Sequence, residues 1–453
     1  MIPRGEFEGL AGPEFRRWLV QMERLGGCSN PVYLMGHTLT WEKSTGEVLN
    51  LFASASEPYG RHAVACRNRR ESVCPSCAYL HHGDTYQLVV AGLAGGKGVP
   101  VDVAAHPRVF VTLTAPSFGA VHRVAAGDPA ERCHPRRGVG ACPHGVSEAC
   151  YARHAVSDSV VGVPLCPACY DYAGAILWNA MLGRLWDRFV VQVRRELAKS
   201  QHIRINELPG HVRVSFAKVV EYQHRGSLHV HAVVRCDGPG GPADPPPGWA
   251  TARLLGEAVS TAGAWASVRV PDPADLDRER SLSFGAQLDV QEISSGGALD
   301  GLTDQAVAAY IAKYVTKGEP PGLVLAHRLS WPGEIASAEG LSDHARRLMA
   351  TAWRLGGVPQ YAGLRLRLWA HQLGLRGAVA SKSRLHSTTY KELRAVRSNF
   401  HRRVQFDPQT TETRRAWRYV GRGHSPGQAA LALGIAEGVQ DARAARRSAS
   451  RRD

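Results

Sequence analysis

The chain has 453 residues, 44% hydrophobic and 21% charged, with 55 Lys and Arg against 40 Asp and Glu for a formal charge of +15. No apolar run approaches the roughly 18 residues of a membrane span, and the composition excludes disordered and collagen-like classes, leaving a soluble globular chain of several domains. The charge points to a polyanion, most commonly nucleic acid; Met1 to Leu10 lack the apolar core of a secretory signal, so a cytoplasmic protein with no membrane partner is expected.

In chain order, a short helix is predicted over Glu14 to Leu25, within an N-terminal helical region of residues 1–60. Residues 61–100 are a basic segment carrying Cys66, Cys74 and Cys77. His106 to Thr114 reads as a strand from its β-branched and aromatic residues. Five cysteines, Cys133, Cys142, Cys150, Cys166 and Cys169, fall in 125–170, a stretch of little periodicity expected to be a metal-pinned insertion. Ala173 to Leu197 looks like one long amphipathic helix. Strands at Val212 to Tyr222 and Leu228 to Arg235 flank the turn His224-Arg225-Gly226-Ser227, and Asp237 to Gly248, rich in Pro and Gly, is a linker or surface loop.

A strand at Ser283 to Ile293 precedes a helix capped by Thr303 or Asp304 and running to Lys317, with Gly318 at the C′ position and Pro320 blocking continuation. Tyr361 to Val404 holds eight Arg and two Lys against one acid, a net +9; Arg365, Arg367, Lys382 and Arg384 are its candidate DNA-binding residues. Asp441 to Asp453, with five arginines, reads as a basic helix or tail. The chain is thus α+β, with a central domain at 101–320 and a basic, mainly helical C-terminal region at 321–453.

Chemistry concentrates in two places. His229 and His231, at i and i+2 in a strand, leave the same face while Val230, Ala232 and Val234 turn to the core. A three-residue hairpin loop, His224-Arg225-Gly226, pairs Glu221 with His229 and puts all three on one face; a two-residue loop turns Glu221 away. Imidazole and carboxylate ligands with open positions suit Mg2+ or Mn2+ acting on a phosphate, and Zn2+ binds such a set as well. On the capped helix, Tyr310, Lys313, Tyr314 and Lys317 share a stripe about 100° wide, opposite Ala308, Ile311, Ala312 and Val315. Adjacent ammoniums favour a phenolate and neutralise phosphate charge, which suits phosphoryl transfer.

Setting aside Cys28 and Cys236 as isolated leaves eight cysteines, enough for two structural zinc sites of four cysteines each. His81, His144 or His154 can replace a cysteine, so the partition stays open, and a catalytic thiol is the competing reading.

The ordered motifs, Phe110-Val111-Thr112-Leu113-Thr114, then His229-Val230-His231, then Tyr310 to Lys317 about 80 residues later, resemble those of the HUH endonuclease superfamily. Within it the chain resembles rolling-circle replication initiators of actinobacterial plasmids and integrative conjugative elements over about residues 60–440. Cys74-Pro75-Ser76-Cys77, Leu165 to Tyr172, Glu221 to Gly226 and Ser387 to Tyr390 support that likeness. The resemblance implies an HUH domain with a central antiparallel sheet and a tyrosine-bearing helix. It implies a nickase that attacks one strand of double-stranded origin DNA with tyrosine, keeps the 5′ phosphate covalently bound and frees a 3′-OH. Single-stranded origin DNA and a host helicase and polymerase are the implied partners, since the chain shows no Walker motif. Tyr314 is the implied nucleophile and Tyr310 the second. The competing functions are a related relaxase or transposase, and a zinc-containing DNA-binding regulator without chemistry.

Overall fold

The computed structural model describes residues 12–124, 132–136, 138, 140–293, 302–317, 319–401 and 406–449. The chain begins α1 (Pro13–Arg24), β1 (Val32–Glu42), β2 (Val48–Ala53), β3 (His62–Val64), α2 (Pro75–Ala94) and β4 (Arg108–Thr114). It continues α3 (Tyr172–Ser200), β5 (Arg213–Tyr222), β6 (Leu228–Asp237), α4 (Ala252–Trp265), β7 (Ser267–Asp272), β8 (Asp275–Ser283) and β9 (Leu288–Glu292). The last part is α5 (Asp304–Thr316), α6 (Gly333–Ser337), α7 (Asp343–Leu355), α8 (Leu366–Trp369), β10 (Ala380–Lys382), α9 (Tyr390–His401), β11 (Thr411–Arg422) and α10 (Pro426–Ala449). No described helix is long and apolar enough to cross a membrane.

Two compact units form, and neither is continuous in sequence. One comprises Met1–Gln87, Thr316–Gly318 and Thr389–Asp453, the other Leu88–Val315 and Glu319–Thr388. In the first unit β1 pairs antiparallel with β11 from Val32↔Arg422 to Glu42↔Thr411, and on its other side with β2 and β3. Phe15, Trp18 and Met22 of α1 pack with Tyr33 and Ala63 in a small core. The N-terminal region is therefore not purely helical: β1 and β2 pair with each other, and β1 pairs on its other edge with β11 from the far end of the chain.

The second unit is built on a five-stranded sheet of order β10-β5-β6-β4-β9 with every pair antiparallel. Alternation sorts its residues. Val109, Val111, Leu113, Val220, Val230, Ala232 and Val234 join Ile176, Leu177, Trp178, Leu182 and Phe189 of α3 and Leu255 and Val259 of α4 in one core. Each Val, Leu, Ile or Phe among them, fully buried, contributes about 1.5–3 kcal/mol. Asp171 caps α3 by accepting from the Gly174 N–H at 2.7 Å, and Thr251 caps α4. The opposite face of the sheet carries Phe110, Thr112, Thr114, Glu221, His229 and His231.

The expected strand Ser283 to Ile293 is two elements in different sheets. Its break is at Gly285, whose N–H donates to the Thr114 carbonyl; a Cβ there would lie 2.8 Å from the Ala115 carbonyl oxygen. The basic C-terminal region contains the 12-residue strand β11 besides its helices.

Candidate phosphoryl-transfer site and metal clusters

The β5–β6 hairpin sets the site. Gln223 N–H donates to Ser227 O and Gly226 N–H to Gln223 O, both at 2.9 Å, which closes the three-residue loop. Gly226 has φ +79°, a left-handed value that glycine adopts without cost. The register pairs Glu221 with His229 and Val219 with His231. His231 is buried, its Nδ1 hydrogen-bonded to Thr112 Oγ1 at 3.1 Å, while its buried Nε2 has no hydrogen-bond partner among the described residues and lies 3.6 Å from Glu221 Oε2. His229 has Thr114 Oγ1 at 2.9 Å from Nε2 and the Gln223 amide nitrogen at 3.3 Å from Nδ1. Burial, with the His231 charge, pushes the His229 imidazole down to about 4, so it is neutral near pH 7.

Helix α5 brings both tyrosines to this face. Thr303 is its cap, accepting from Ala306 N–H at 3.2 Å. Asp304 instead binds the buried Arg108 guanidinium of β4 through two 3.0 Å hydrogen bonds. That bidentate pair ties the start of the helix to the first residue of the strand. The His231 ring lies 5.0 Å from Tyr310 edge-on and 5.1 Å from Tyr314 stacked, and the two phenol rings are 4.6 Å apart. Phe110 supports Tyr310 edge-on at 5.5 Å. Burial, followed by the hydrogen bond to Tyr314 and the nearby Tyr314 and Glu221 charges, pushes the Tyr310 phenol above its usual range.

Lys313 is exposed, its Nζ 5.9 Å from the Tyr314 ring centre. Lys317 lies just past the helix, which ends at Thr316, and belongs to the other compact unit; Gly318, the expected C′ residue, is outside the described residues. The reading of the sequence gave no site role to Arg108, Thr112 or Thr114 and took Asp304 only as a possible helix cap. The alternation Phe110-x-Thr112-x-Thr114, one face of a strand, was the available signal for the two threonines.

The four basic candidates are divided. Arg365 and Arg384 are exposed, Arg367 stacks its guanidinium 5.5 Å from the Trp353 ring, and the Lys382 ammonium donates to the carbonyls of Ser383, Arg384 and Ser387.

Three Cys and His groups among the described residues have ligand atoms all within 4.8 Å of one another and can hold metal ions such as zinc. They are Cys28, Cys66, Cys74 and Cys77; His122, Cys133, Cys150 and His154; and Cys142, His144, Cys166 and Cys169. The set His229, His231 and Glu221 is not closed to that degree. Zn–S bonds of about 2.3 Å at tetrahedral angles place sulfurs about 3.8 Å apart. In the first group the Cys66–Cys77, Cys28–Cys77 and Cys28–Cys74 distances are 3.6, 3.7 and 3.8 Å.

In the second group His154 turns Nε2 toward Cys150 at 3.6 Å and Nδ1 toward the Asp158 carboxylate, also at 3.6 Å, the arrangement that orients a metal-bound imidazole. The expectation of two four-cysteine sites is thus corrected to three groups, one of cysteines alone and two that include histidine. Cys28 is a member, because β1 begins beside the Cys66 to Cys77 segment; Cys236 is buried in β6, and His81 bonds Thr85 instead.

Comparison with known proteins identifies the family. The family model described as "Replication initiator protein, pSAM2" (RepSA) matches residues 14–437. A "Replication initiator protein" of Streptomyces ambofaciens is 42% identical over 454 aligned residues, covering 97% of this chain and 94% of that protein. No solved structure matches the chain.

Proposed function

The chain belongs to the family of the pSAM2 replication initiator protein, and from that membership we propose that it starts rolling-circle replication as an HUH-type nickase. The observation that carries this reading is the meeting of Tyr310 and Tyr314 with His231 on the sheet face that also holds His229 and Glu221. A phenol oxygen attacks the phosphorus of one origin phosphodiester and gives up its proton. The bond from phosphorus to the 3′ oxygen breaks, and that oxygen takes a proton to become the 3′-OH primer. The 5′ phosphate stays on tyrosine, and a host helicase and polymerase would unwind and extend.

Tyr314 is the first nucleophile: burial holds the Tyr310 phenol above its usual range, and the Lys313 ammonium lies 5.9 Å from the Tyr314 ring centre. Tyr310 takes the second transfer, at termination. His231 offers an unpartnered Nε2 toward Glu221, and His229 is a neutral imidazole, so the residues fit a divalent cation; ligation by His229 exchanges its Thr114 or Gln223 contact. Mg2+ or Mn2+ held by His229, His231 and Glu221 would supply Lewis-acid stabilisation of the phosphate charge. Thr112 and Thr114 orient the rings, and Arg108 with Asp304 holds the tyrosine helix in place.

The decisive experiment traps the adduct. Tyr314→Phe removes one oxygen, keeps the helix packing and should eliminate the covalent link to an origin oligonucleotide. Tyr310→Phe should nick but fail to rejoin the released strand. A phosphotyrosine mapped outside α5 refutes the mechanism.

A further inference from the structure

Among the described residues, one face of the first unit's sheet carries the exposed Thr413, Arg415 and Tyr419, which the proposed nicking reaction does not use. Strand alternation and the β1–β11 register place Thr413, Arg415, Trp417 and Tyr419 of β11 on that face, opposite Thr40, Thr38, Gly36 and Leu34 of β1. Helix α1 packs instead against Tyr33, which points the other way. Phe52 of β2 and His62 of β3 complete an aromatic cluster. Phe52 lies 5.0 Å from His62 and 5.7 Å from Trp417, and His62 lies 5.9 Å from Trp417. Tyr419 is 62% exposed at the end of the row.

Trp417 is held in place. Its indole N–H donates to Thr38 Oγ1 at 2.9 Å. Opposite it stands Gly36, with φ +145°, where a Cβ would fall 2.8 Å from the Trp417 Cα and closer still to the Ala416 carbonyl. Beside the aromatic cluster runs a groove of about 640 Å³, within the range of ligand clefts, lined by Thr38, Thr40, Asn50, Phe52, Thr413 and Arg415. Its walls, which also include Phe406, combine hydroxyls, an amide, two aromatic rings and a cation. Strand β11 carries Arg414, Arg415, Arg418 and Arg422 against one acid, Glu412. None of those arginines makes an ion pair among the described residues.

We propose that this face of the β1–β2–β3–β11 sheet is a second nucleic-acid site that binds single-stranded DNA. Bases stack on Tyr419 and Trp417 and the phosphate chain follows Arg415 and the threonine groove. Rings spaced two residues apart on a strand, with a guanidinium in the same row, are what a sequence-tolerant single strand needs: a π-face for each base and a cation for its phosphate. A duplex keeps its bases stacked on one another and cannot use those rings. The proposal rests on the chain acting on DNA, but it does not require the tyrosine chemistry of α5. Its role is to hold strand that has been opened beside the origin.

The test measures fluorescence anisotropy of a labelled 20-residue oligothymidine with the full-length, zinc-loaded protein. Tyr419→Ser with Arg415→Gln should weaken binding at least tenfold, the loss of about one stacked base and one phosphate contact. The double variant should keep wild-type circular dichroism and zinc content, and should still form the Tyr314 adduct with a short origin oligonucleotide. An oligonucleotide carrying 5-iododeoxyuridine should crosslink to a peptide containing Trp417 or Tyr419. Unchanged affinity in the folded double variant overturns the proposal. So does loss of wild-type self-association in that variant with oligothymidine binding intact, which would make the face a protein interface. Arg204→Gln with Arg253→Gln, two exposed surface arginines of the other unit, is the control and should leave oligothymidine affinity within twofold. Tyr314→Phe should abolish the adduct without altering oligothymidine binding, so failure of the nickase reading and failure of this one are separable.

Discussion

At the scale of single residues, the candidate site depends on how two imidazoles are held. The Thr112 hydroxyl at His231 Nδ1 leaves Nε2 pointing toward Glu221, whereas His229 is held at both nitrogens, Nε2 by Thr114 and Nδ1 by Gln223. Partners of this kind typically affect metal affinity or activity by roughly 10- to 100-fold. Thr112→Val keeps the side-chain shape but loses the hydroxyl, so it should raise the Mn2+ concentration needed for half-maximal nicking by about tenfold. The fold should stay intact by circular dichroism. A Mn2+ titration superimposable on wild type would mean that the threonine is packing alone. His229 and His231 were named beforehand by a spacing of two in a strand, Tyr310 and Tyr314 by a spacing of four in a helix, and Glu221 only through the register of a three-residue hairpin loop. The pairing of Arg108 with Asp304 was not, since nothing in a strand start and a helix start 196 positions apart says that they meet.

At the scale of elements, the short distances that matter are those between sulfurs. The Cys74-x-x-Cys77 knuckle is completed by Cys66 and, from beside β1, by Cys28, which also accepts the Cys66 N–H at 3.3 Å. A four-ligand zinc site stabilises its segment outright, and removal of one thiolate opens it. Protein purified without chelator should contain about three zinc ions per chain. Cys28→Ser should lower that to about two and make the segment around Cys66 to Cys77 more susceptible to proteolysis. A zinc content equal to wild type in Cys28→Ser would remove Cys28 from the site. In the β5–β6 hairpin the sequence offered a three-residue loop with a two-residue loop as the alternative, and the structure closes three residues, with Gly226 in the left-handed conformation that the turn requires.

For the whole molecule, acid is the condition to test. Burial lowers the imidazoles of His81, His344 and His386 below the ordinary histidine value, His386 most of all. In the unfolded chain they titrate near 6.5. Above that pH both states are neutral and these histidines cost nothing. As pH falls from about 6.5 toward the lowered folded values, the unfolded state takes up protons that the folded state refuses. Stability then drops by up to roughly 1.4 kcal/mol per pH unit for each histidine. Urea unfolding at pH 7.5 and 5.5 should show this loss, and His386→Leu should reduce its slope by about one histidine's share. An identical slope in that variant would show that His386 is not held neutral.

Sequence by itself determined the α+β class, the long helix α3, the β5–β6 hairpin with its histidine face, the tyrosine stripe of α5 and the cysteine knuckles. All of these are written in runs of a few residues, as a period of two or 3.6, a turn glycine, a cap or a Cys-x-x-Cys spacing. Only the tertiary structure decided the rest. It joined Val32–Glu42 to Thr411–Arg422 in one sheet, brought Cys28 to the first metal group, and divided the cysteines and histidines into three groups. It also separated β8 from β9. Those pairings bring together residues tens to hundreds of positions apart. Loop closure of that length depends only weakly on its sequence, so local pattern cannot specify which distant partners meet; packing and metal geometry do.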